Sequence, residues 1–176
     1  CDPIHGHASI CGHGTYCSEG RQLLCPHGTF SRVNGSVACS AVRPGYVIVE
    51  NEHGLRVDQT PCSEGQVCVD GFQTACLETS TYCPPQSSSP SPVRLGYYSI
   101  PLGDAIKKTG EVECDAGHFC IDGGRVSCPD GMFSRLNGSF ACSAVQAGYL
   151  LVKTEFGLGI DETPCERGSY CVDGIM

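Results

Sequence analysis

The chain has 176 residues, of which 15 are Cys, 23 are Gly and 11 are Pro, and it carries no Trp and a formal net charge of −8. So many cysteines with so few aromatic residues exclude a large hydrophobic core and indicate a scaffold held by disulfides outside the cytosol. The acidic balance argues against nucleic acid as a partner, and no apolar run is long enough for membrane insertion.

One cysteine pattern occurs twice in the chain, 103 residues apart. Segments with five and then seven residues between cysteines start at Cys11, Cys62 and Cys114, which gives a finer period of about 51 residues. We therefore predict a tandem array of all-β modules that forms an elongated rod. The predicted segments are the end of a preceding module (1–10), module 1 (11–61), module 2 (62–113), module 3 (114–164) and the start of a truncated module 4 (165–176).

Each module is predicted to consist of short β-hairpins. The pair Asn34-Gly35 is the commonest cue for a two-residue hairpin turn with positive φ at both positions. A second hairpin is predicted from Tyr46–Val49, a polar turn at Asn51–Gly54, and Leu55–Val57. Further tight turns are expected where Gly follows an acidic residue two positions past a cysteine, at Glu19, Asp70, Asp122 and Asp173. Only residues 104–108 suggest a helical turn.

The segment Pro84–Pro92, PPQSSSPSP, is the one stretch of low complexity. Its composition predicts an extended linker of polyproline type within module 2. The alternative is a site of O-glycosylation, either on hydroxylated prolines or on the serines of the segment, Ser87, Ser88, Ser89 and Ser91.

Modules 1 to 3 contain four cysteines each, and four cysteines allow three connectivities. We favour local pairs that close loops of 15 residues, Cys25–Cys39 and Cys128–Cys142, and smaller loops, Cys11–Cys17 and Cys114–Cys120. An interlaced pattern, first to third and second to fourth, stays open. Cys1 is expected to be unpaired or bonded to a neighbouring module. The remaining candidate half-cystines are Cys62, Cys68, Cys76, Cys83, Cys165 and Cys171.

Two sets of segments resemble the ephrin-receptor-like cysteine-rich repeats. One set is CPHGTFSRVNGSVAC and CPDGMFSRLNGSFAC, and the other is CGHGTYC, CDAGHFC and CERGSYC. Such repeats occur in tandem in large surface and secreted proteins of protists, algae and oomycetes, and are distantly similar to the cysteine-rich modules of tumour-necrosis-factor receptors. The resemblance implies an extracellular array of disulfide-stacked β modules. The chain departs from the family at Val42 and Val145, where a further cysteine is usual.

Two Asn-Gly-Ser sequons lie at matched positions, at Asn34 and Asn137, and in a secreted chain they predict N-glycosylation. The alternative is that each sequon is only a turn. Covalent glycans are the only attached groups that we expect.

The sequence contains no convincing catalytic or metal site. His5, His7 and His13 lie near Cys11 with a spacing that could hold zinc or copper, but the second copy has no matching set, so we expect no metal site. We expect no enzymatic activity, because no nucleophile has a plausible base. The acidic residues predict a solvated surface, with weak Ca²⁺ binding left open, because they are scattered along turns and strands. Examples are Glu50, Asp58, Glu64, Asp161 and Glu162.

Two functional classes remain. In the first, the chain is a structural segment of a secreted or cell-surface rod, fibre or coat, with neighbouring copies of the repeat or protomer as partners. In the second, it is the ectodomain of an adhesin or receptor that binds a surface protein or glycan. Most differences between the two copies are conservative, and the exceptions are Val37 to Phe140 and His53 to Phe156. Because a ligand patch should depart from its copies, we favour the structural class.

Overall fold

The regular structure of the chain consists of short antiparallel hairpins. The computed structural model describes residues 10–103 and 106–176, and within these ranges it has 18 strands and no helix. Each strand pairs with one other strand, which gives nine sheets of two strands. The protein is therefore small, disulfide-rich and all-β, as the composition predicts. The described residues contain no helix that could span a membrane.

The chain divides into two units. The first comprises described residues 10–76 and 83–90, with strands β1 (Thr15–Ser18), β2 (Arg21–Leu24), β3 (Thr29–Phe30), β4 (Ser40–Ala41), β5 (Tyr46–Glu50), β6 (Arg56–Pro61), β7 (Gln66–Val69) and β8 (Phe72–Ala75). The second comprises described residues 77–82, 91–103 and 106–176, with strands β9 (Thr81–Tyr82), β10 (Ser91–Pro92), β11 (Tyr97–Ile100), β12 (Gly110–Glu113), β13 (His118–Ile121), β14 (Gly124–Ser127), β15 (Met132–Phe133), β16 (Ser143–Ala144), β17 (Tyr149–Lys153) and β18 (Gly159–Pro164). The four-module division of the sequence stays a prediction.

Three hairpins, here called tip hairpins, have two-residue turns: β1–β2, β7–β8 and β13–β14. In β1–β2 the turn residues Glu19 and Gly20 have φ of 50° and 74°, and in β13–β14 Asp122 and Gly123 have 50° and 72°. Positive φ at both positions defines a type I′ turn, whose twist matches that of the strands. The tight turns predicted from the acidic-Gly pairs are confirmed.

Three longer hairpins, here called long hairpins, are β5–β6, β11–β12 and β17–β18. In β5–β6 the turn is closed by Asn51, whose side-chain Oδ1 accepts the backbone N–H groups of His53 and Leu55 at 3.0 Å each. In β17–β18 the hydroxyl of Thr154 accepts the N–H of Leu158 in the same way, at 3.1 Å. The hairpin predicted over residues 46–57 is confirmed.

The prediction of a two-residue hairpin at Asn34-Gly35 is wrong. Strands β3 and β4 pair Phe30 with Ser40, so residues 31–39 all lie in the loop, and of the two turn residues only Gly35 has a positive φ, 77°. The reason is that two backbone groups of the loop bond to Cys11 and to the tip hairpin β1–β2. Gly35 N–H donates to the Cys11 carbonyl at 2.7 Å, and the Ser36 carbonyl accepts the Cys17 N–H at 2.8 Å.

The prediction of an extended linker at Pro84–Pro92 is also wrong. Ser91 pairs with Tyr82 across β9–β10, and the chain turns at Gln86, which has a φ of 66°. Gln86 N–H donates to the Cys62 carbonyl at 2.8 Å, as Gly35 donates to Cys11. The segment is therefore a third copy of the loop over residues 31–39, whereas a polyproline helix would leave its backbone solvated.

The buried apolar side chains of the described residues are almost all half-cystines. Phe30 and Phe133 are the two exceptions, with 5% and 6% of their surface exposed. The half-cystines are Cys11, Cys25, Cys62, Cys68, Cys76, Cys83, Cys114, Cys120 and Cys171. Disulfides therefore fill the space that a hydrophobic core fills in larger domains.

A helical turn was predicted at residues 104–108. Residues 104–105 lie outside the described residues, and residues 106–108 are not helical.

Candidate functional site

The structure contains seven disulfides, and every one joins cysteines that are neighbours in the described sequence. The pairs are Cys11–Cys17, Cys25–Cys39, Cys62–Cys68, Cys76–Cys83, Cys114–Cys120, Cys128–Cys142 and Cys165–Cys171. This is the local pairing and not the interlaced one. Cys1 lies outside the described residues. Bonds of this number in a small all-β protein are typical of extracellular proteins.

Each long hairpin bonds to the segment that follows it through the same backbone contacts, here called the hairpin junction. In the first unit, Gly45 donates its N–H to the Cys68 carbonyl at 3.1 Å and accepts the Cys62 N–H at 2.9 Å, while Ile48 N–H donates to Gly71 at 3.1 Å. The second unit contains two further junctions. In one of them Gly96 donates its N–H to Cys120 and accepts the N–H of Cys114. In the other, Gly148 donates to Cys171 and accepts the N–H of Cys165. The junction is thus formed by backbone groups that the cysteine spacing places in register.

The loops that carry the two sequons are exposed at the asparagines, Asn34 and Asn137. The serine of each sequon bonds to a carbonyl of its own loop. The Ser36 hydroxyl donates to the Val33 carbonyl at 3.0 Å, and the Ser139 hydroxyl donates to the Leu136 carbonyl at 2.6 Å. Both loops therefore present the asparagine to solvent. Glycosylation of these residues stays a prediction.

A groove opens beside each sequon loop, with a volume of about 390 Å³ in the first unit and about 420 Å³ in the second. Each is lined by ten residues, and the two sets are equivalent at the 103-residue step. The first set is Phe30, Ser31, Arg32, Val33, Ser36, Ala38, Ser40, Ala41, Arg43 and Gln59. The second is Phe133, Ser134, Arg135, Leu136, Ser139, Ala141, Ser143, Ala144, Gln146 and Glu162. Volumes of this size suffice for a small ligand.

One wall of each groove is an arginine that lies over the buried phenylalanine. In the first unit the Arg32 guanidinium carbon is 5.2 Å from the Phe30 ring centre, and Arg32 Nε lies 2.5 Å from an Asp58 oxygen. The backbone N–H of Gln59 and then the Arg32 guanidinium hold the pKa of the Asp58 carboxyl below its usual value of 3.8. The ion pair is therefore kept, and the charge of this wall is balanced.

The second groove has the same wall. Arg135 lies 5.3 Å from the Phe133 ring centre, and its Nε donates to Asp161 at 2.7 Å. The Glu162 N–H and then Arg135 lower the pKa of Asp161. Neither arginine was singled out from the sequence, although the repeated Phe-Ser-Arg could have indicated both.

Four residues were considered for a metal site. Of these, His5 and His7 lie outside the described residues, His13 is exposed, and Cys11 is bonded to Cys17. The described ranges contain no group of three or more His, Cys, Asp or Glu side chains that could hold a metal ion. Weak Ca²⁺ binding by the acidic surface stays a prediction.

The serines considered for O-glycosylation differ in exposure. Ser87 is buried, with 8% of its surface exposed, and its hydroxyl donates to the Pro84 carbonyl at 2.6 Å. Ser88 and Ser89 are exposed, and Ser91 is half-buried in β10. Burial argues against a glycan on Ser87.

No protein-family model matches the chain, and no curated protein matches it.

Proposed function

We propose that the chain is a segment of a secreted or cell-surface structural glycoprotein, in which ephrin-receptor-like repeats stack in tandem to form a rod, fibre or surface coat. The observation that carries the proposal is the hairpin junction. It occurs three times with the same three backbone hydrogen bonds. In each junction one glycine, Gly45, Gly96 or Gly148, takes part in two of them. A contact made by backbone groups tolerates changes of side chain, so one repeat can follow another without a specific partner sequence.

The exposed turns support the same role. The sequon asparagines Asn34 and Asn137 are both solvent-exposed, so glycans there would cover the loops without disturbing the junctions. The disulfides supply the stability that a repeat of about 51 residues cannot obtain from its apolar side chains. A structural segment needs no reaction centre, and its partners are neighbouring repeats or protomers.

Small-angle X-ray scattering of the whole chain tests the proposal. A compact chain of this length has a radius of gyration of about 16 Å, and we expect a clearly larger value. A chain lengthened by a second copy of residues 11–113 provides the matched comparison. The maximum dimension of the lengthened chain should grow in proportion to the number of repeats. Electron micrographs of the native protein should show elongated particles or fibres. A compact native monomer, or a lengthened chain whose maximum dimension barely exceeds that of the native chain, would refute the proposal.

A second function, the ectodomain of an adhesin or receptor, is favoured by one observation. The two grooves share most of their lining but differ in charge at the rim, where Arg43 and Gln59 are replaced by Gln146 and Glu162. A structural repeat does not require that difference.

A further inference from the structure

The rims of the two grooves have one geometry and opposite charge. In the first, the Arg43 backbone N–H donates to Gln59 Oε1 at 2.8 Å. In the second, the Gln146 N–H donates to Glu162 Oε2 at 2.9 Å. Seven of the ten lining residues are identical, and Val33 to Leu136 is conservative, so the rim residues carry the difference.

The first rim is left with an unpaired positive charge. Arg32 is balanced by Asp58, whereas the exposed Arg43 side chain has no acidic partner among the described residues. Because Gln59 Oε1 is occupied by the Arg43 N–H, its side-chain NH₂ is left as a further donor. The rim of the first groove therefore presents hydrogen-bond donors and one positive charge.

Arg94, between β10 and β11, and Glu111 in β12 show what the same geometry does when both charges are present. There the Arg94 N–H donates to Glu111 Oε2 at 2.8 Å, and Arg94 Nε lies 2.5 Å from Glu111 Oε1. The guanidinium at this position thus reaches a carboxylate at the other position. Since the first groove has Gln59 there, the guanidinium of Arg43 is left available to an external carboxylate.

We propose that the first groove binds an acidic sugar residue of a glycan, with the sugar carboxylate on Arg43. Arginine pairs with carboxylates through two parallel hydrogen bonds, which makes it suited to this role. The remainder of the groove favours a hydroxylated ligand, because its lining is rich in small polar side chains. The Ser40 hydroxyl can accept and donate hydrogen bonds, and the methyl groups of Ala38 and Ala41 leave room for a ring. The second groove, with Glu162, repels the same ligand.

This binding site stands independently of the stacking of repeats. A rod could present the groove along its length, and a receptor could use it as a single site. A compact scattering profile would contradict the rod and would not affect the proposed binding site. An absence of ligand binding would contradict the binding site and would not affect the rod.

Nuclear magnetic resonance of the ¹⁵N-labelled whole chain tests the proposal. Methyl β-glucuronide is the probe, methyl β-glucoside is its neutral control, and acetate controls for simple anion binding. We expect the glucuronide to shift the amide signals of Ser40, Arg43 and Gln59, and to bind at least about tenfold more tightly than the glucoside, a difference of about 1.4 kcal/mol. Binding should weaken with added salt, because the contact is ionic and exposed.

Two double variants exchange the rims. Arg43→Gln with Gln59→Glu gives the first groove the rim of the second, and should abolish binding. Gln146→Arg with Glu162→Gln does the reverse, and should create binding in the second groove. Both rims exist in the native fold, so both variants are expected to fold, and unchanged signals elsewhere in the spectrum check this. Retention of binding by the first variant, equal affinity for the glucoside or for acetate, or no binding of the glucuronide would overturn the proposal.

Discussion

Gly123 lies directly against the backbone of Thr79: a Cβ atom built on Gly123 would stand 1.8 Å from the Thr79 carbonyl oxygen. The equivalent turn glycine of the first tip hairpin, Gly20, would meet nothing within 4 Å. The two glycines have nearly the same φ, 72° and 74°. They therefore differ in surroundings and not in backbone conformation, and this makes them a matched pair.

We predict that Gly123→Ala destabilises the second unit much more than Gly20→Ala destabilises the first. Both changes place a side chain at positive φ, at a cost of about 1–2 kcal/mol. Gly123→Ala also pushes two backbones apart and weakens the bond from Ser99 N–H to the Gly123 carbonyl, now 2.9 Å long. This overpacking should add about 1–3 kcal/mol. Hydrogen exchange at the Ser99 amide, together with denaturant unfolding, measures the effect, and equal losses for the two variants would contradict it.

The sequence predicts those features whose two partners lie within a few residues of each other. The Asp122-Gly123 turn and the Cys114–Cys120 bond are of this kind, because turn chemistry and short spacing leave few alternatives. The loop at Asn34-Gly35 is of the other kind, because the N–H of Gly35 donates to the carbonyl of Cys11. A local cue for a hairpin was therefore overridden by a contact with a residue far along the chain.

The loop over residues 83–90 was hidden by its composition. A run of Pro and Ser predicts an extended chain, yet the backbone bonds of Gln86 to Cys62 and of Ser87 to Cys68 hold it in the same turn as the other copies. The grooves were missed for another reason: their lining combines residues from a loop and from a distant strand. The change of Arg43 to Gln146 between otherwise similar copies is the sequence signal that indicates them.

The ion pair between Asp115 and Arg125 predicts a response to acid. Arg125 donates to Asp115 from Nε at 2.9 Å and is the largest cause that holds the pKa of the Asp115 carboxyl below 3.8. A lowered pKa in the folded state means that the contribution of Asp115 to stability is complete above its unfolded pKa. That contribution is lost as the pH falls through the folded value.

We expect Arg125→Gln to raise the pKa of Asp115 back towards 3.8. The part of the acid-induced loss of stability that comes from this pair should then shrink. Titration of the Asp115 carboxyl carbon by ¹³C NMR measures the shift directly. Arg135→Gln is the control: the pKa of Asp161 is lowered first by the backbone N–H of Glu162, so it should stay lowered. A pKa of Asp115 that does not move in Arg125→Gln would rule out the assigned cause.

Lys108 is buried in the turn of the β11–β12 hairpin, with 1% of its surface exposed. Its ammonium group donates to the carbonyls of Pro101 and Gly103 at 2.8 and 2.5 Å, which offsets the cost of removing the charge from water. Lys107, its neighbour in sequence, is exposed. The two lysines should therefore differ sharply in their reactivity towards an amine-acylating reagent.

We predict that Lys107 and Lys153 are acylated at least about tenfold faster than Lys108, because Lys108 reacts only when the turn opens. Peptide mapping by mass spectrometry after timed labelling gives the three rates. In the reduced and unfolded chain the difference should disappear, which shows that it comes from structure and not from local sequence. Equal rates for Lys107 and Lys108 in the folded protein would mean that the turn does not hold the ammonium group.

The exposure of the candidate glycosylation sites predicts which of them carry sugar when the chain passes through a secretory pathway. Asn34 and Asn137 are exposed and should each carry an N-glycan, so Asn34→Gln and Asn137→Gln should each lower the intact mass by one glycan. O-linked sugar is expected at Ser88 or Ser89, which are exposed, and not at Ser87, whose hydroxyl is buried and bonded to the Pro84 carbonyl. A transferase acting on the folded chain must reach the hydroxyl that it modifies. Ser87→Ala should therefore leave the O-glycan mass unchanged, while the double variant Ser88→Ala with Ser89→Ala should lower it. Sugar mapped to Ser87 would contradict the prediction, and would show that modification precedes folding of the loop.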